Sequence, residues 1–131
     1  MNVEKLSVSL PKELVQELNK FMEENAIGDR SKIFQIALRN FLDENEKDDT
    51  VVYGIINVVY DEHEASRMFL ELQHEYLDRI ISTMHLHLNE RDCMEAIAVR
   101  GTRSELVNLN SKLSQIRGVK KSRLLISYEV R

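Results

Sequence analysis

The chain begins with one predicted β-strand that has no second strand nearby in sequence to pair with. Residues 5–10 alternate between polar and apolar side chains, so the two kinds face opposite ways. The apolar side is Leu6, Val8 and Leu10, and the polar side is Lys5, Ser7 and Ser9. Pro11 cannot donate a ladder hydrogen bond and suits the first turn of a helix, so the strand is predicted to end there.

Two amphipathic helices are predicted after this strand. Gly28 separates them, and Asp29 or Ser31 can cap the second one. The strand-helix-helix unit occupies residues 1–48 and is too small to bury its own apolar stripes, while its lone strand has unpaired edges. We therefore expect an intertwined homodimer in which Leu6–Leu10 of two chains pair as an antiparallel ribbon.

The polar face of this ribbon is a candidate DNA-binding surface. A two-stranded ribbon fits the major groove of double-stranded DNA, where Lys5, Ser7 and Ser9 can donate to phosphates and base edges. The first fifty residues hold seven Lys and Arg against eleven Asp and Glu, and the whole chain has a net charge of −4. A DNA contact is therefore expected to be local. The alternative is a strand that only dimerises and binds no nucleic acid.

A dense charge run at residues 43–50 indicates a helix end and a solvated linker. Beyond it, residues 51–131 show a β-α-β-β-α-β pattern, which is typical of a ferredoxin-like domain. The predicted elements are strand Val51–Tyr60, a helix from Ala65 to Ile80, a hairpin of Ile81–Leu88 and Cys93–Val99, helix Glu105–Ile116 and strand Lys120–Val130. Gly101 is predicted to end the hairpin. The inner side of the first helix is predicted to be Met68, Leu72 and Leu77, and that of the second to be Leu106, Leu109 and Leu113. The predicted fold class is α+β, with a βαα unit before a βαββαβ domain.

The hairpin contains a candidate metal site. His85 and His87 are two residues apart in a strand, so their imidazoles project from one face. The turn length predicts Cys93 opposite His87 and Glu95 opposite His85. Two imidazoles and a thiolate are suitable ligands for a borderline-soft divalent metal. The other face of the hairpin is predicted to pack against the helices; it consists of Met84, Leu86, Leu88, Met94, Ala96 and Ala98.

Other interpretations of the hairpin stay open at this point. Cys93 can be a small buried residue, and the two histidines can be half-exposed strand residues without a role. Cys93, His87 and Glu95 can also be a nucleophile, a base and an orienting group. No glycine-rich turn or helix N-terminus is predicted after Cys93 to stabilise an oxyanion, which disfavours an enzyme.

The cysteine content and the hydropathy pattern bear on location. Cys93 is the only cysteine and cannot form an internal disulfide, which fits a reducing cytoplasm. No apolar run approaches the ~18 residues of a membrane span, and no export signal is recognisable at the N-terminus. We expect a cytoplasmic protein without a membrane partner.

Two segments resemble the nickel-responsive transcriptional regulator family. They are Met-His-Leu-His-Leu-Asn-Glu-Arg-Asp-Cys-Met-Glu at 84–95 and Leu-Gln-His-Glu-Tyr-Leu-Asp at 72–78, and the similarity extends over essentially the whole chain in the same domain order. The resemblance implies a ribbon-helix-helix arm, an ACT-type domain and a homotetramer built as a dimer of dimers. It also implies a metal-bound repressor of nickel uptake genes, not an enzyme, that binds a DNA operator with two half-sites.

The resemblance further implies one nickel(II) per subunit. Its square-planar ligands would be His85, His87 and Cys93 of one chain and His74 of a neighbouring chain. Gln73 and Glu95 match positions near the family's site and are candidates to orient the ligands. Without the resemblance, His74 is an ordinary surface histidine of a helix, and the role of His63 is unassigned.

One segment departs from the family. Lys32 and Ile36 stand where the family has a Glu and an Asp that join an interdomain cation site in some members. Either the Lys32 ammonium replaces that cation, or Lys32 is a solvated residue of the first helical turn. Spacing alone does not separate nickel from zinc, copper or cobalt. A related alternative is therefore a regulator with the same DNA arm that senses another divalent metal or a small organic effector.

Overall fold

A computed structural model describes residues 2–131 of the chain. These residues form two compact units, one ending at Leu38 and the other spanning Arg39–Arg131. Helix α1 covers Lys12–Glu24, and helix α2 covers Arg30–Asn45 across the boundary between the units. Within the described residues, every helix is too short or too polar to cross a membrane.

The starts of both N-terminal helices agree with the predicted signals. The carbonyl of Pro11 accepts hydrogen bonds from the backbone N–H groups of Leu14 and Val15, so α1 begins directly after the proline. Asp29 Oδ1 accepts a hydrogen bond from the backbone N–H of Lys32 at 3.0 Å. Asp29, one of the two residues predicted for the role, therefore caps α2.

The predicted N-terminal strand is not formed within a single chain. Residues 2–11 have no regular secondary structure, and α1 and α2 contain no buried residue. Leu6 is 79% exposed and Val8 is 66% exposed. A strand at this position needs a partner strand from a second copy, so the ribbon stays a prediction.

The C-terminal unit has the predicted β-α-β-β-α-β order. Its elements are β1 (Val51–Asp61), α3 (Glu62–Glu75), a 3₁₀ turn (Leu77–Arg79), β2 (Ile80–His87), β3 (Asp92–Thr102), α4 (Arg103–Ser114) and β4 (Val119–Glu129). All strand pairs are antiparallel, and the strand order is β2-β3-β1-β4. This order leaves β2 and β4 as the edge strands.

Several predicted boundaries were wrong, among them the start of α3, which is Glu62 instead of Ala65, and the range of α4, which is Arg103–Ser114 instead of Glu105–Ile116. Helix α3 ends at Glu75 instead of Ile80, and the 3₁₀ turn leads into β2. Gly101 does not end β3, because it pairs with Val52 of β1. A side chain at Gly101 would require Arg79 to move, because a Cβ there would lie 2.8 Å from Cδ of Arg79.

The core lies between one face of the sheet and helices α3 and α4. Its members are Val52, Ile56, Val58 and Tyr60 of β1, Cys93, Ile97 and Val99 of β3, Leu124 of β4, Ala65, Phe69 and Leu72 of α3, and Leu106, Val107, Leu109 and Leu113 of α4. The predicted inner face of α4 is confirmed. For α3 only Leu72 was correct, because Met68 and Leu77 are exposed. The row that faces inward consists of Ala65, Phe69 and Leu72, which follow one another at the four- and three-residue spacing of a single helical face.

The helices cover the opposite face of the hairpin from the one predicted. Cys93 and Glu95 are buried on the helix side, whereas Met84 and Leu86 are exposed on the open side. Strand alternation defines two faces but does not say which one the helices will cover. Because the helices shield β3 and leave most of edge strand β2 exposed, Cys93 is buried while His85 and His87 remain accessible.

Candidate metal centre

His85, His87 and Cys93 converge at the edge of the sheet. One potential ligand atom from each lies within 4.8 Å of the others. His87 pairs with Cys93 and His85 pairs with Glu95, which confirms the predicted register. The Cys93 Sγ to His87 Nδ1 distance is 3.3 Å, and the two imidazole centroids are 4.9 Å apart. The structure thus gathers two nitrogen donors and one sulfur donor at a border between core and solvent.

A buried carboxylate lies behind His85. Glu95 Oε1 is 3.8 Å from His85 Nδ1, and Glu95 Oε2 accepts a hydrogen bond from the amide of Gln73 on α3. Glu95 is only 7% exposed, so it depends on these partners to offset its burial. The Gln73–Glu95 contact therefore fixes a group that can orient the His85 ring.

The beginning of α3 is fastened to the hairpin beside the cluster. Asp61 caps the helix by accepting hydrogen bonds from the backbone N–H groups of His63 and Glu64. The guanidinium of Arg91 donates to Asp61 Oδ2 from Nε at 3.0 Å and from Nη2 at 2.8 Å. The backbone N–H of Glu62 donates to the carbonyl of Arg91 at 2.7 Å. These contacts place the first residue of α3 next to the candidate metal ligands.

Glu62 contributes a second carboxylate to this neighbourhood. Its Oε2 is 3.9 Å from His87 Nδ1. The buried ring of Tyr60 lies next to the cluster. Its centroid is 6.4 Å from that of His85, and it stacks on Phe69 with ring centroids 4.4 Å apart.

The electrostatics of the cluster favour a cation. Burial raises the pKa of the Cys93 thiol, and the negative charge of Glu62 raises it further. Burial also raises the pKa of Tyr60 to about 12, with added effects from Glu95, Cys93 and Glu62. The thiol is thus protonated near neutral pH, and a metal has to displace that proton. A raised thiol pKa is also the opposite of what a nucleophilic cysteine needs.

The donor set fits a divalent metal. Two imidazoles and one thiolate suit nickel, copper or zinc, and one chain provides three clustered donors where both tetrahedral and square-planar geometries require four. Within residues 2–131 of one chain, His74 is not part of the cluster. It lies exposed in the last turn of α3, and His63 lies exposed in the first turn. A fourth ligand from another chain thus stays a prediction.

The predicted DNA-contacting residues lie in the N-terminal segment. Lys5, Ser7 and Ser9 are all exposed in the single chain. Lys32 is also exposed, in the first turn of α2. These positions leave the side chains available, and their binding roles remain predictions.

Sequence reasoning missed the group around the start of α3. Glu62, Asp61 and Arg91 lie next to the cluster, and none was singled out as a site residue. A local signal did exist, because Asp61 precedes two acidic residues in the first helical turn, which is typical of a helix start. That this helix start would lie beside Cys93 depends on Tyr60 pairing with Cys93, which the sequence does not specify.

Fold and cluster together define an α+β protein with a ferredoxin-like domain and a candidate His/His/Cys metal centre at its sheet edge. The family described as NikR C terminal nickel binding domain matches residues 53–127. The chain belongs to this family of nickel-responsive regulators. A second family, described only as a protein of unknown function (DUF2811), matches residues 6–80.

Relatives over the full length agree with this assignment. A protein of Saccharolobus islandicus is 62% identical over 128 residues, covering 98% of this chain and 96% of the relative. One from Saccharolobus solfataricus is 61% identical over 128 residues, with the same coverage. One from Pyrococcus abyssi is 35% identical over 131 residues, covering 97% of this chain and 95% of the relative. The names of all three class them as nickel-responsive regulators.

A solved structure supports the fold alone. An uncharacterised protein from Thermotoga maritima superposes with a TM-score of 0.55 at 20% identity. The superposition covers 60% of this chain and 99% of the Thermotoga maritima chain.

Proposed function

We propose that the chain is a nickel-responsive, DNA-binding transcriptional repressor that acts when metal is bound. The observation that carries this proposal is the incomplete metal centre in a member of a nickel-binding family: His85, His87 and Cys93 converge, and a fourth ligand is still needed. His74 of another subunit is the proposed fourth ligand, giving one nickel(II) per subunit in square-planar geometry. Nickel uptake genes are the proposed targets, in the cytoplasm.

The open face of the sheet supports an oligomer. Cross-strand pairs there combine apolar side chains, for example exposed Leu125 beside exposed Ile55 and exposed Leu86 beside half-buried Met94. Such a surface is commonly an interaction site. A second copy of this chain is the proposed partner, because a homotetramer also allows His74 to reach a neighbouring site.

The N-terminal segment supports a dimeric DNA arm. Its strand lacks a partner within the chain, and α1 and α2 leave their apolar faces unburied, including Leu14, Phe21 and Phe34. An intertwined pair would cover these faces and display Lys5, Ser7 and Ser9 of both chains to the major groove.

Metal binding and DNA binding are proposed to be linked. A metal that joins His85, His87 and Cys93 to His74 of another chain fixes α3 across a subunit interface. If this arrangement favours the arm spacing that fits two operator half-sites, nickel raises DNA affinity, and DNA raises nickel affinity equally.

Nickel titration tests the site. Wild-type protein with stoichiometric nickel should show an electronic spectrum typical of square-planar thiolate coordination. Cys93→Ala should lower nickel affinity by orders of magnitude and leave far-ultraviolet circular dichroism unchanged. An unchanged nickel affinity in this variant would place the site elsewhere.

Subunit mixing tests the ligand from another chain. His74→Ala and Cys93→Ala chains should each bind nickel weakly alone. After subunit exchange, some interfaces combine His85, His87 and Cys93 of the His74→Ala chain with His74 of the Cys93→Ala chain. These interfaces should bind nickel tightly. If exchange is demonstrated and no tight site returns, His74 does not act between chains.

A further inference from the structure

We propose that Glu62 is an alternative fourth metal ligand supplied by the same chain. Together with His85, His87 and Cys93, it would form a complete site for a metal that prefers tetrahedral coordination, such as zinc. This inference rests on the proposed function, because it assigns a further ligand to the same metal centre. It gives the chain two competing fourth ligands, Glu62 within the chain and His74 from a neighbour.

The distances from His87 to Cys93 and Glu62 can be compared with those in a tetrahedral metal site. Tetrahedral bonds of 2.0–2.3 Å place neighbouring ligand atoms about 3.4 Å apart. His87 Nδ1 lies 3.3 Å from Cys93 Sγ and 3.9 Å from Glu62 Oε2. Glu62 lies outside the group whose ligand atoms are all within 4.8 Å of one another, so its carboxylate has to move closer to bind, and its side chain is 40% exposed and free to do so.

The backbone holds Glu62 in this position. Its N–H donates to the carbonyl of Arg91, two residues before Cys93, and Asp61 binds the Arg91 guanidinium. Tyr60 also pairs directly with Cys93 across β1 and β3. The backbone of Glu62 is therefore fixed beside the hairpin by its own hydrogen bond and by the contacts of the two preceding residues, which lowers the cost of recruiting its carboxylate.

Metal geometry decides between the two ligands. Zinc accepts a tetrahedral set of imidazole, thiolate and carboxylate groups from one chain. Square-planar nickel requires a fourth donor in the plane of the first three, which is the role proposed for His74. A metal held by Glu62 leaves His74 of the neighbouring chain unbound, so it would not fix α3 across the interface.

Full-length variants test this ligand with zinc, nickel and cobalt as probes. Glu62→Gln should lower zinc affinity by about tenfold or more, because it removes a ligand. It should lower nickel affinity much less, because for nickel only a nearby negative charge is lost. His74→Ala should give the reverse pattern. Cobalt should show tetrahedral absorption bands in the wild type and in His74→Ala, and these bands should weaken in Glu62→Gln.

Glu64→Gln is the matched control, because Glu64 is also an acidic residue in the first turn of α3. Equal zinc affinity in Glu62→Gln and Glu64→Gln would overturn the inference. If Cys93→Ala abolishes binding of both metals in that case, only the role of Glu62 fails. If Cys93→Ala retains both metals, the metal centre itself is wrong and both proposals fail.

Discussion

The side-chain amide of Gln73 on α3 donates a hydrogen bond to Glu95 on β3, directly behind the candidate ligand His85. The contact joins the helix that carries His74 to the strand that carries Cys93. A shift of α3 would therefore move Glu95 and with it change the orientation of the His85 ring. A reorientation of His85 would in turn act on α3 through the same contacts.

Gln73→Ala tests this contact. The variant should bind nickel about 10- to 100-fold more weakly, because a ligand that loses its orienting partner is held less firmly. Isothermal titration calorimetry measures the affinity, and Gln115→Ala, at an exposed position in the same unit, is the control. Equal affinities in the two variants would show that Glu95 does not act through Gln73.

Arg103 should be a major contributor to the stability of the C-terminal unit. It is 4% exposed, donates to the carbonyl of Asp43 at 2.9 Å, and forms ion pairs with Asp48 and Glu129. The charge run expected to be a solvated linker is thus partly fastened to this unit. Arg103→Met should lower the free energy of unfolding by about 2 kcal/mol, because it leaves these partners unpaired.

Urea denaturation measures that change. Arg117→Met, at an exposed position, should cost less than about 0.5 kcal/mol. A loss of the same size in both variants would mean that the Arg103 contacts contribute no more than an ordinary surface residue.

Asp61 should make stability depend on pH in acid. Its hydrogen bonds from Arg91, followed by those from backbone N–H groups, lower the pKa of this carboxyl. The folded state therefore holds the proton less tightly than the unfolded state, where the pKa is about 3.9. The stabilisation is complete above that value and is lost as pH falls through the lower pKa of the folded state.

Asp61→Asn isolates this effect, because asparagine can still cap α3 but cannot pair with Arg91 as an anion. Urea denaturation should show the variant to be less stable than the wild type near pH 6. The difference should shrink as pH falls below about 4. Asp49→Asn controls for the loss of one charge at an exposed position. A difference that is constant across this pH range would contradict the assignment.

The polar ribbon face should contact DNA. Lys5→Ala should weaken binding to a duplex selected from a random pool and reduce the salt slope by about one, if Lys5 neutralises a phosphate. Ser7→Ala and Ser9→Ala should instead relax sequence preference, because a hydroxyl suits a base edge. Fluorescence anisotropy at several salt concentrations measures both effects. Identical isotherms for all three variants and the wild type would remove this ribbon as the DNA-binding surface.

Lys32 is predicted to replace the cation that some family members hold with two carboxylates. If so, DNA affinity at constant ionic strength should not change when potassium is exchanged for a bulky organic cation. Lys32→Glu should make that affinity depend on potassium. Loss of DNA binding by the wild type when potassium is withdrawn would show that a free cation is still needed.

The open sheet face should hold the oligomer together. Leu125→Lys introduces a charge beside Ile55 and should shift the sedimentation profile towards smaller species, because a buried unpaired charge is costly. Asn108→Lys adds the same charge at an exposed position on α4. If both variants sediment like the wild type, the interface lies on another surface.

The sequence by itself determined the order of elements in the C-terminal unit and the pairing of His85 and His87 with Glu95 and Cys93. Both depend on local rules: strand alternation fixes which side chains share a face, and turn length fixes the register of a hairpin. The same alternation could not say which face the helices cover, because that choice depends on how α3 and α4 pack against all four strands.

Only the tertiary structure decided what surrounds the ligands. Pairing of β1 with β3 brings Tyr60 opposite Cys93, and the cap at Asp61 then starts α3 beside His87. Glu62 is 31 positions from Cys93 in sequence, so only long-range strand pairing brings the two side chains together. The edge position of β2 similarly leaves the two imidazoles accessible while the thiol is buried, since burial depends on neighbouring strands and helices and not on the hairpin alone.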